Sequence, residues 1–141
     1  MQIPPSVRTA IEAGPIAHVV TLGPDGAPQI TLAWIGLDGD EVVIGTMFDQ
    51  AKLRNIRREP RVALSFEMGG MSQTTGLNAY LVLHGRARVT EGGAPELLQR
   101  LAYTYIGPGV VFPPFPNAPA GWVTHITVER IGGSEAPRRH A

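Results

Sequence analysis

The feature that most limits how this chain can fold is its punctuation: 17 glycines and 13 prolines are scattered between short apolar runs over 141 residues. Proline breaks helix interiors and strand ladders, and glycine weakens both. A chain divided this way folds into short helices and strands joined by many turns. Its length corresponds to about one domain, large enough to bury a real core.

The runs between the breaks are mostly strand-like. Residues 5–13 form a short helix, with Pro5 at the first helical position and Gly14-Pro15 as its stop. Ile16–Leu22 and Pro28–Ile35 flank the hairpin signal Pro24-Asp25-Gly26, and Asp38-Gly39 precedes a third run, Glu41–Met47. These three are expected to form a meander. Asp49 is expected to cap a helix through Arg58, which Pro60 ends. Arg61–Glu67 reads as a fourth strand and Met68–Gly76 as a loop. Asn78–Glu91 alternates, with Ala79, Leu81, Leu83, Ala87 and Val89 on one face, and Gly85 predicts a bulge or a close backbone approach. Residues 94–105 form an amphipathic helix with Leu97, Leu98, Leu101 and Tyr105 on one stripe. Gly107–Gly121 holds five prolines and cannot be regular structure. Trp122–Ile131 is a last strand, and the tail after Gly132 is expected to fray. The prediction is a mainly β domain, a six-stranded antiparallel barrel with short flanking helices.

Composition removes several function classes. Apolar residues make up 43% and charged residues 17%, which excludes a disordered tail. Lys+Arg and Asp+Glu are both 12, so a nucleic-acid-coating role lacks the positive excess it needs. There is no cysteine, hence no disulfide, no thiol nucleophile and no cysteine-ligated zinc, in keeping with a reducing cytoplasm. Residues Met1–Gly14 lack the basic start and apolar run of a signal peptide, and no apolar stretch reaches the ~18 residues of a membrane span. His18, His84, His125 and His140 show no metal-ligand spacing.

Two segments carry candidate chemistry. At the first, a strand ending at Thr46 runs into a helix whose opening amides face outward at the positive end of its dipole, an arrangement that binds anions. Lys52, the chain's single lysine, falls in that first turn, where it is expected at the surface, and Asn55 follows on the same side. A solvated basic helix is the alternative. The second is the strand Pro28–Ile35, whose Gln29, Thr31 and Ala33 share one face that could hydrogen-bond a planar heterocycle, with Gly45 on the neighbouring strand letting the ring lie near the backbone. An ordinary solvent face is the alternative there. The apolar stretch Gly107–Gly121 suits a pocket wall or a subunit interface better than free solvent.

The order of these signals is similar to that of a known family. Asp25-Gly26-x-Pro28, Trp34, Thr46, then Ala51-Lys52-x-Arg54-Asn55-Ile56-Arg57-Arg58-Glu59-Pro60-Arg61-Val62 resembles the flavin/deazaflavin split β-barrel proteins, the pyridoxamine 5′-phosphate oxidase-like family. Tyr105-Ile106-Gly107-Pro108-Gly109, Phe112-Pro113-Pro114 and Gly121-Trp122-Val123-Thr124-His125-Ile126 resemble its F420-dependent oxidoreductase branch. The resemblance runs from about residue 6 to residue 132.

It implies a homodimer with cofactor at the subunit interface, and F420, or alternatively FMN, as that cofactor. It implies phosphate binding by Thr46, Ala51, Lys52 and Asn55, with Met47 and Gln50 alongside, and ring contacts from Gln29 and Thr31. The cofactor would carry the redox chemistry, passing hydride to a small electron-poor acceptor, which accounts for the lack of an obvious catalytic dyad. A non-catalytic F420- or flavin-binding role is a further alternative. Gln50 stands where many relatives carry arginine, which removes one charged contact. The chain also closes on Gly132-Gly133-Ser134-Glu135 without the aromatic finish of that branch.

Overall fold

A computed structural model describes residues 1–137. The order is α1 (Pro5–Glu12), β1 (Ala17–Leu22), β2 (Pro28–Ala33), β3 (Gly36–Asp38), β4 (Glu41–Thr46), α2 (Ala51–Arg58), β5 (Arg61–Met71), β6 (Asn78–Glu91), α3 (Ala94–Tyr105) and β7 (Trp122–Gly132). The strands form one antiparallel sheet in the order β2-β1-β5-β6-β7-β4-β3. This is the expected mainly β split barrel, with seven strands where six were predicted.

The extra strand arises because the run from Pro28 divides. Its first part pairs with β1 and its second with β4, so β2 and β3 occupy opposite ends of the sheet. Only Trp34 and Ile35 separate them. The expected three-strand meander is therefore two hairpins joined by a bent chain, and the ladder stays open at the bend. Tyr105 stands in for the missing ladder partner there: its hydroxyl accepts from the Ile35 N–H at 3.0 Å and donates to the Pro15 carbonyl.

Other boundaries shift for local reasons. β5 continues to Met71, through what was expected to be loop, with a register irregularity between Glu67 and Met71. The predicted bulge at Gly85 is present: register shifts between His84 and Gly85, and a Cβ on Gly85 would lie 2.2 Å from the Thr127 carbonyl oxygen. Gln50, in extended conformation, takes the N-cap position of α2, while the expected cap, Asp49, pairs with Arg54 at 3.5 Å. After Gly132 the chain docks on β6 where fraying was expected. The Tyr80 N–H donates to Ser134 Oγ at 3.0 Å, and the Glu135 N–H to the Tyr80 carbonyl at 3.3 Å. Arg138, Arg139, His140 and Ala141, the rest of that expected tail, lie outside the described residues.

The barrel interior holds Phe66, Leu64, Leu81, Leu83, Ile35, Ile126 and Val42, closed at one end by Val7 and Ile11 of α1. Full burial of such a side chain contributes about 1.5–3 kcal/mol. A second, smaller cluster sits outside the barrel, where Leu97 and Leu101 of α3 cover Val43 and Val123. Among the described residues no helix is long and apolar enough to cross a membrane.

Candidate functional site

The end of β4 leads through Met47–Gln50 into α2, as the sequence pattern requires. No side chain caps the helix, so the backbone N–H groups of Ala51 and Lys52 keep their donor capacity, while that of Leu53 donates to the Gln50 carbonyl at 3.0 Å. α2 seats Leu53 and Ile56 against the barrel, and Lys52 and Asn55 are drawn in with them. Lys52 is only 8% exposed, against the expectation of a surface side chain. Among the described residues it has no hydrogen bond and no ion pair. Burial pushes its ammonium below the ordinary lysine range. Thr46 is 4% exposed, and its Oγ1 likewise lacks a partner among the described residues.

Both residues face a cavity of about 280 Å³. Thr46, Met47, Gln50 and Lys52 line one side, and Ala33 and Trp34, at the bend between β2 and β3, line another. Leu98 of α3 and Phe112 complete the apolar wall. The donor set, the ammonium of a largely buried lysine and a buried hydroxyl beside an uncapped helix start, fits the phosphate of an anionic cofactor. The apolar remainder fits a flat ring. Ala51 is exposed at the helix opening.

Other predicted residues are placed differently. The Asn55 Nδ2 donates to Gln29 Oε1 at 2.6 Å and to Thr21 Oγ1 at 3.1 Å, while its Oδ1 accepts from Arg58 at 3.0 Å. Its carboxamide thus ties α2 to β1 and β2. Neither Gln29 nor Thr31 is among the residues lining the cavity, and the buried Oγ1 of Thr31 has no partner among the described residues. Gly45 borders the cavity, yet the space a Cβ would take there is filled by Leu98 Cγ at 3.1 Å and the Ala94 carbonyl at 3.3 Å. The missing side chain admits α3 and not a ring.

Sequence reasoning did not single out Gln99 or the aromatic contacts around Trp34. Trp34 stacks on Tyr105 with centroids 5.1 Å apart and planes 11° from parallel, and meets Phe112 at 5.2 Å. Gln99 accepts from the Phe112 N–H and donates to the Val110 carbonyl, both at 2.8 Å. A polar residue on the flank of an amphipathic helix carries no periodic signal of such a role. The loop ends at Gly121, φ +60°, where a Cβ would meet the Thr46 carbonyl at 2.4 Å. Among the described residues no group of His, Asp and Glu could hold a metal ion.

Comparison with known proteins agrees with this architecture. The family model for pyridoxamine 5′-phosphate oxidase matches residues 3–132. No curated protein matches the chain. Among solved structures, an F420 reductase superposes with a TM-score of 0.72 at 21% identity, covering 92% of this chain and 98% of that one. A conserved hypothetical protein of Mycobacterium tuberculosis gives 0.69 at 21% identity, covering 100% of this chain and 92% of that one. HupZ of Group A Streptococcus gives 0.64 at 20% identity, covering 98% and 99%. At these identities the likeness is one of fold.

Proposed function

The chain belongs to the pyridoxamine 5′-phosphate oxidase family, and from that premise we propose that it is an F420-dependent oxidoreductase holding the deazaflavin in the cavity beside Lys52. The observation that carries this reading is the burial of Lys52 without a counter-charge. An unpaired ammonium partly removed from water is disfavoured. A phosphate placed against Lys52, the Thr46 hydroxyl and the opening amides of α2 around Ala51 offsets that penalty with charge-assisted hydrogen bonds.

The remaining walls then have separate tasks. Ala33 and Met47 flank the ring, and Trp34, Leu98 and Phe112 wall the space over its face, where the acceptor is received. Gln50 borders the anion, contributing a neutral side chain where an arginine would add charge. Gln29, fixed by Asn55, stands outside the cavity lining toward the outer edge of the ring. When bound, the cofactor supplies the hydride chemistry toward a small electron-poor organic acceptor.

We assign the second half of the site to another copy of this chain. Ile30 and Leu32, 66% and 63% exposed, stand side by side along β2 beside the cavity, an apolar edge suited to a homodimer interface.

Titration of the purified protein with F420 and with FMN, followed by the emission and absorbance of each, tests the reading. Saturable F420 binding that Lys52→Ala weakens is expected. Micromolar FMN binding with no F420 binding overturns the deazaflavin assignment and leaves a flavin-dependent enzyme on the same site. Tight binding with no turnover over a panel of enones and nitroaromatics overturns the catalytic part.

A further inference from the structure

The proline-rich segment forms one wall of the cavity, yet it is held in place by very little. Among the described residues, hydrogen bonds reach residues 108–119 only from Gln99. Its carboxamide engages Val110 and Phe112, two alternate residues of the loop, as a neighbouring strand would, and both bonds are 2.8 Å long. Phe112 is thereby pressed against Trp34, whose other aromatic contact is the parallel Tyr105 ring. Tyr105 is in turn fixed by Ile35 and Pro15. The series Tyr105–Trp34–Phe112 is rigid at the Tyr105 end and depends on Gln99 at the Phe112 end.

We propose that Gln99 is a positioning residue that sets the Phe112 wall of the cavity and so selects a flat, uncharged, conjugated ring as the acceptor. This rests on the reading of the cavity as a redox site. The chemistry of the wall supports the substrate class. Trp34 and Phe112 offer aromatic faces, Leu98 and Phe48 add apolar surface, and Lys52, the one cation lining the cavity among the described residues, is assigned to the cofactor. Nothing on the aromatic side could balance a charge on the acceptor. Gln99 itself is not among the residues lining the cavity, so its influence passes through Phe112.

The test uses Gln99→Met, which keeps length and helix propensity but removes both bonds, and Phe112→Leu, which alters the wall directly. Menadione, a flat uncharged quinone, serves as the acceptor probe, and its affinity for the cofactor-loaded protein is measured by calorimetry. Gln99→Met is expected to weaken menadione about tenfold while F420 or FMN affinity stays within about twofold, the scale of lost neutral hydrogen bonds. The double variant is expected to bind menadione no more weakly than Phe112→Leu alone, because the two act in series. In a Trp122→Phe background, where Trp34 is the remaining tryptophan, Gln99→Met should raise acrylamide quenching of its emission. Additive losses, unchanged quenching, unchanged menadione affinity, or no menadione binding by the parent overturns the proposal. A parent that binds neither F420 nor FMN overturns the cofactor reading instead, and the quenching comparison alone then decides the role of Gln99.

Discussion

The Nδ2 of Asn55 lies 2.6 Å from the Oε1 of Gln29, joining a helix that opens beside the cavity to the strand that borders it. Asn55 is 2% exposed and Arg58 and Thr21 complete its partners, so the site's two walls share one buried polar joint. Buried polar groups stabilise only while all their partners are present.

Replacing Asn55 with leucine strands the Thr21 hydroxyl and frees Gln29. We expect a loss of about 1–3 kcal/mol in unfolding free energy, the usual result of leaving a buried partner unsatisfied. Urea denaturation checks this, and an unchanged midpoint would show that the joint carries no stability.

Lys52→Met separates the two roles of the buried ammonium. Cofactor affinity should fall by about 1.5–3 kcal/mol, the scale of a hydrogen bond to a charged group. The ligand-free protein should gain stability, because an uncompensated buried charge is removed.

The same lysine predicts a pH dependence. Its folded pKa is lowered by burial. Below that lowered value it is protonated both folded and unfolded, and the full burial penalty applies. Between it and the ordinary lysine value the unfolded chain binds more protons, so stability of the ligand-free protein rises with pH. Urea midpoints measured up through the alkaline range should show this rise in the parent and lose it in Lys52→Met.

Gly85→Ala places a Cβ 2.2 Å from the Thr127 carbonyl, where backbone must move. A loss of about 1–3 kcal/mol is expected, as for overpacking elsewhere. Thermal unfolding gives the measurement, and an unchanged Tm contradicts the close approach.

Ile30→Glu puts a charge on the exposed apolar edge of β2 without touching the core. If that edge is the interface between copies, light scattering should record a shift from dimer to monomer. A monomeric parent, or a variant that stays dimeric, counts against the assignment.

The strands and turns were legible because alternation and Gly-Asp-Pro signals are local. Gly85 announced its bulge, and the run from Thr46 to Lys52 announced the strand end and the helix start that follows it. The bend at Trp34–Ile35 was not legible, because it depends on a tyrosine 70 residues away. Nor was the burial of Lys52, which follows from how α2 seats on the barrel and not from the helix itself. Gly45 misled for a related reason: a missing side chain does not say which neighbour will fill the space, and here it was α3.

The open ladder between β2 and β3 has a dynamic consequence. Elsewhere in the barrel, prising neighbouring strands apart means rupturing a row of backbone hydrogen bonds. Across this seam only covalent chain and side-chain contacts hold the flanks together, and residues 32–34 beside it border the cavity. Breathing at the seam would widen the aperture for an entering ring without unzipping any strand pair.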